Sequence, residues 1–116
     1  MIYYLYLGYV DNAELQVRYT EENNSFDAVL VSRTPQKVAI TSIENLIKRS
    51  SIPDYVLSES FYMLLSYWRH LEFNNLMPSL VTKNSMYLKY KLLGKSIFEF
   101  IHDYPKIVIE VMKCMS

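Results

Sequence analysis

The first ten residues, Met1-Ile2-Tyr3-Tyr4-Leu5-Tyr6-Leu7-Gly8-Tyr9-Val10, carry no charge and include four tyrosines, and the polar, acidic Asp11-Asn12-Ala13-Glu14 follows at once. A secretory leader needs a positive start and a small-residue cleavage site, and a membrane-spanning helix needs about 20 apolar residues. Ten residues broken by Gly8 fit neither, so the segment is expected to be a β-strand of the fold. Its even positions (Ile2, Tyr4, Tyr6, Val10) and odd positions (Tyr3, Leu5, Leu7, Tyr9) are both largely apolar, which suits a strand covered on both faces. Tyr3 and Tyr9 are then expected on one face with Leu5 and Leu7. A tyrosine-rich strand can also pair edge to edge, so self-association is one expectation, with the oligomeric state left open.

Two further β-patterned runs complete a meander. Glu14 to Thr20 alternates Leu15, Val17 and Tyr19 against Glu14, Gln16 and Arg18, the pattern of a strand with one wet face. Glu21-Glu22-Asn23-Asn24-Ser25 reads as a turn, and Phe26 to Arg33 as a third strand that ends at Thr34-Pro35. A short fourth strand is possible over Lys37 to Ile40. Thr41-Ser42-Ile43-Glu44 then has capping-box spacing and predicts a short helix to about Arg49.

Ser51-Ile52-Pro53-Asp54 opens a longer helix to about Phe73, because proline and an acid both suit a first helical turn. Leu57, Phe61, Leu64, Trp68 and Leu71 form its apolar stripe, with Glu59, Ser66 and His70 on another arc. A third helix is predicted from Asn84 or Ser85 to His102, burying Tyr90, Leu93, Ile97 and Ile101, with Gly94 as a weak point and Pro105 as its end. Residues 106–112 fit a strand or a helix equally. The fold class is therefore α+β: one domain over residues 1–116, with an N-terminal antiparallel meander of three to four strands packed on about three helices.

The 116 residues suffice for one core, and 12 basic against 12 acidic residues give no net field toward nucleic acid or an anionic membrane. One cysteine, Cys114, excludes an internal disulfide framework and suits a reducing cytosol. Abundant tyrosine and methionine with only two glycines suggest an A/T-rich coding region, common in phages, viruses and mobile elements. His70 and His102, the only histidines, lack paired metal-ligand spacing, so no metal and no cofactor is expected. His102-Asp103 adjacency makes a poor catalytic dyad, since neighbouring helical residues do not face one another. A nucleophilic role for Cys114 and a ribonuclease using both histidines rank low, and no phosphate-cradling glycine loop is present. A non-enzyme is expected.

Charge segregation is the strongest functional signal. Residues 1–31 hold Asp11, Glu14, Glu21, Glu22 and Asp27 against Arg18, whereas residues 32–49 hold Arg33, Lys37, Lys48 and Arg49 against Glu44. Asp11, Asn12, Glu14, Glu21, Glu22 and Asp27 are the candidate partner-binding residues, since acids speed encounter with a basic protein and tyrosines anchor it. Solubilising turn and edge acids are the plainer explanation of the same residues. The expected class is a cytosolic, non-catalytic protein-binding protein, most concretely an immunity protein that neutralises a basic toxin domain such as a nuclease. The alternative is a small viral or phage protein that occupies a host factor or binds nucleic acid through Lys89, Lys91 and Lys95 near Tyr87 and Tyr90. A solvated helix face outweighs the nucleic-acid reading, because Lys91, Lys95 and Glu99 fall on one i, i+4 stripe that ends in an acid.

Overall fold

Alternation and turn chemistry place all the strands in the first third of the chain. The computed structural model describes residues 1–10, 13–33, 36–48, 54–74 and 83–115. Four strands, β1 (Ile2–Val10), β2 (Ala13–Thr20), β3 (Ser25–Arg33) and β4 (Gln36–Ser42), are followed by five helices, α1 (Ile43–Ile47), α2 (Asp54–Phe73), α3 (Lys83–Leu92), α4 (Ile97–Asp103) and α5 (Pro105–Met115). The sheet is an antiparallel meander in the order β1-β2-β3-β4. The architecture is the α+β arrangement read from the sequence.

Register shows which residues share a face. Leu5 opposes Val17, Val17 opposes Ala28, and Ala28 opposes Thr41. Leu5, Leu7, Leu15, Val17, Tyr19 and Ala28 are all buried in one core with Phe61, Leu64, Trp68 and Leu71 of α2 and Val108, Val111 and Met112 of α5. This inner face therefore supports the whole helical layer. α2 and α5 lie against β1, while α1 packs on β3, β4 and α4. An aromatic group made of Phe61, Tyr90, Phe100 and Tyr104, with centroids 5.1 to 5.7 Å apart in successive pairs, joins α2, α3 and α4.

The structure changes four expectations. β1 is an edge strand covered on one face only: Ile2 and Tyr4 are each 52% exposed. Its outward residues are Ile2 and three tyrosines, Tyr4, Tyr6 and Tyr9, and a tyrosine packs against strand neighbours while its hydroxyl can reach water. Gly8, at φ +96°, sits in a bulge between Tyr6 and Tyr9. The extra residue moves Tyr9 to the face opposite Leu5 and Leu7, where it meets Glu14 across the strands and the Tyr6 ring edge-on at 6.1 Å.

Helix boundaries change as well. Ser42, not Thr41, caps α1, accepting from the Asn45 N–H at 3.2 Å, because β4 continues through Thr41. The single third helix is two helices. Gly94 at φ +65° closes α3, with Lys95 N–H donating to Tyr90 O at 2.8 Å and Gly94 N–H to Lys91 O at 3.2 Å, the paired bonds of a Schellman cap. Leu93 is consequently 58% exposed rather than buried. Glu99 accepts from the Ser96 N–H and starts α4. The open question over residues 106–112 resolves to helix, with Pro105 at the first position of α5. Leu57, Asn84, Ser85 and Tyr87 have side chains outside the described set.

Candidate protein-binding face

Among the described residues, the other face of the sheet contributes none of its side chains to the core shared with the helices. Its residues form three cross-strand rows: Tyr4-Arg18-Asp27-Ser42, Tyr6-Gln16-Val29-Ile40 and Tyr9-Glu14-Val31-Val38. Period-2 alternation produces this face from the same strands that build the core, since each outward residue lies between two inward ones. Tyr4 is 52%, Ile40 54% and Val38 63% exposed, while Val29 in the middle row is buried. The surface thus has an apolar floor with aromatic and β-branched residues on both flanks.

Polar groups on the face are held in place. Arg18 Nη2 donates to Asp27 Oδ2 at 2.8 Å, and this bond, helped by Tyr4, holds the guanidinium above its ordinary pKa. Arg18 Nε is buried without a hydrogen-bond partner. Gln16 Nε2 donates to Glu14 Oε1 at 3.0 Å. Desolvation, followed by the Tyr9 hydroxyl and charge, raises the Tyr6 phenol, so it stays a neutral hydrogen-bonding group at physiological pH. Tyr67 from α2 donates to the Tyr6 carbonyl at 2.8 Å and fixes β1 at the bulge.

The acids predicted to bind a partner do not form one cluster. Asp11 and Asn12 lie outside the described residues. Glu14 near the start of β2 and Glu21 just past its end are about 23 Å apart along the strand at its usual rise. Glu14 and Asp27 belong to the helix-free face, whereas Glu21 and Glu22 occupy the exposed β2–β3 turn. Three of these carboxylates already have cations: Asp27 has Arg18, Glu22 has the Met1 amino group, and Glu21 has Lys113 Nζ at 3.8 Å. The Met1 ammonium, bonded to Glu22, holds that carboxyl below its ordinary range. The turn itself is fastened by Tyr19, whose hydroxyl donates to Asn24 Oδ1 at 2.8 Å. Sequence reasoning found the acids and missed the face, because the face depends on which side the helices choose.

The lysine group is also dispersed. Lys89 and Lys91 are exposed on α3, but Lys95 lies beyond the helix end with its Nζ 5.7 Å from the Tyr90 ring centroid. The expected stripe through Lys91, Lys95 and Glu99 is therefore interrupted by Gly94. His102 Nδ1 does approach Asp103 Oδ1, at 3.4 Å, because both lie at the end of α4. His102 borders a cleft of about 340 Å³ with Asn24, Asp27, Glu44 and Pro105. Among the described residues no group of three or more His, Cys, Asp and Glu side chains could hold a metal ion, and no helix is long and apolar enough to cross a membrane. Cys114 is half-buried on α5 against the core.

Comparison with protein-family models, curated proteins and solved structures returns no significant match.

Proposed function

We propose that this chain is a non-catalytic cytosolic protein-binding protein that acts by covering a surface of its partner. In its most concrete form it is an immunity protein that neutralises a basic toxin domain. The observation that carries this reading is the helix-free sheet face, which presents Tyr4, Tyr9, Val38 and Ile40 around the buried Val29. Aromatic anchors beside hydrogen-bonding groups are the composition of a protein interface, and an open sheet face lacks the enclosure typical of small-molecule sites. Glu14 at the margin of the face, whose carboxylate accepts from Gln16 and has no cation in the ion pairs described above, adds negative charge that a basic partner would meet on approach.

Calorimetric titration with the product of the adjacent gene, paired with growth of cells that express that product, tests the reading. Binding together with rescue of growth by this chain is expected. No heat of binding and no rescue would contradict it.

A further inference from the structure

The two edges of the sheet are unlike. On β1 the bulge at Gly8 interrupts the strand, and the Tyr6 carbonyl is occupied by the Tyr67 hydroxyl, so the edge is twisted and partly capped. Among the described residues β4 has neither protection. Its register with β3 is unbroken from Gln36 to Ser42, and Gln36 through Ile40 are exposed on both faces. Ala39 stands on the same side as the helical layer, opposite Leu30, yet is exposed, and burial on β4 begins only at Thr41 and Ser42.

We propose that β4 pairs antiparallel with β4 of a second copy of this chain, joining two four-stranded sheets into one of eight strands. A two-fold axis normal to the sheet keeps each face on its own side, so it must lie midway between one residue and that same residue of the second copy. Centring it on Ala39 is the choice that pairs all seven residues. Val38 then opposes the second copy's Ile40 on the helix-free face, an apolar cross-strand pair repeated on both sides of the axis. Lys37, the strand's single charge, opposes the second copy's Thr41. The two Lys37 side chains sit about 14 Å apart along the strand, beyond the roughly 8 Å screening length at physiological salt.

The helices permit this pairing. α1 begins at the Ser42 end of β4 and turns onto β3 and α4, so in the pair the two α1 helices lie at opposite ends of the junction. A seven-residue strand is about 24 Å long, and pairing two of them buries about 1,000 Å² in total, near the lower limit for a specific interface. An interface this small is expected to form in a concentration-dependent way. It extends the face described above and does not depend on the proposed partner.

Sedimentation velocity from about 5 μM to about 1 mM, the range of weak association, tests the pairing. The wild-type chain is expected to move from 13.8 kDa toward twice that mass. Ala39→Glu and Ala39→Lys place like charges opposite one another at the axis, and each is expected to stay monomeric while keeping the wild-type far-ultraviolet circular dichroism. An equimolar mixture of the two is expected to recover the dimer, which a folding defect could not do. A wild-type chain monomeric throughout overturns the proposal and leaves the edge to a strand from a different protein. A dimer indifferent to both substitutions, or a mixture that stays monomeric, also overturns it.

Discussion

Tyr90 joins the aromatic group to a charge at the helix end. It is 4% exposed, its ring meets Phe61 and Phe100, and its hydroxyl donates to Asp103 Oδ2 at 2.6 Å. Asp103 ends α4, where the helix dipole disfavours an anion, so the carboxylate depends on its partners. The Tyr90 hydrogen bond, then His102 and Lys95, hold its pKa below the ordinary aspartate range, against the opposing effect of burial. A lowered native pKa contributes stability that is complete above the unfolded value of about 4 and is lost as pH falls through the native value. Tyr90→Phe is accordingly expected to cost about 1 kcal/mol at pH 7, an amount already reduced for the partly exposed carboxylate. Urea unfolding at descending pH should show the two proteins converging below about pH 4. The burial of Tyr90 was legible from its spacing to Ile97 and Ile101. Its bond to Asp103 was not, because the backbone reversal at Gly94 intervenes.

Two glycines set the shape of their elements. At Gly94 a Cβ would meet no atom within 4 Å, so the cost of Gly94→Ala is conformational rather than steric. Holding alanine in the left-handed region costs about 1–2 kcal/mol, and thermal melts followed at the buried Trp68 should show that loss. Gly94→Asn should recover part of it, since asparagine tolerates the same backbone better. The strands and α2 were legible because alternation and the Phe61-Leu64-Trp68-Leu71 stripe are strong local signals. The α3–α4 break was not, because apolar spacing at Tyr90, Leu93, Ile97 and Ile101 runs unbroken across it. The β1 bulge was hidden for a related reason: both faces of that strand are apolar, so a shift of one residue leaves the pattern unchanged.

At the scale of the molecule, the described helices share a core with one side of a four-stranded meander, and Tyr4, Val38 and Ile40 are exposed on the other. The sequence could place Tyr4, Gln16, Val29 and Ile40 outward or inward within each strand, but edge order and helix coverage come from long-range packing. That packing also separates the acids that looked adjacent along the chain and gives several of them internal cations. The central claim is that the helix-free face, rather than the lysine-bearing α3, meets a protein partner. The direct measurement is calorimetric titration of the adjacent gene's product with three proteins: wild type, Tyr4→Ser/Tyr9→Ser, and Lys89→Gln/Lys91→Gln/Lys95→Gln. Tyr4 and Tyr9 lie on β1, away from the β4 edge, so the substitutions leave self-pairing untouched. Loss of two aromatic anchors should weaken binding about 100-fold, while the lysine variant should stay within about 3-fold of wild type. Full affinity in the tyrosine variant with collapse in the lysine variant would contradict the account.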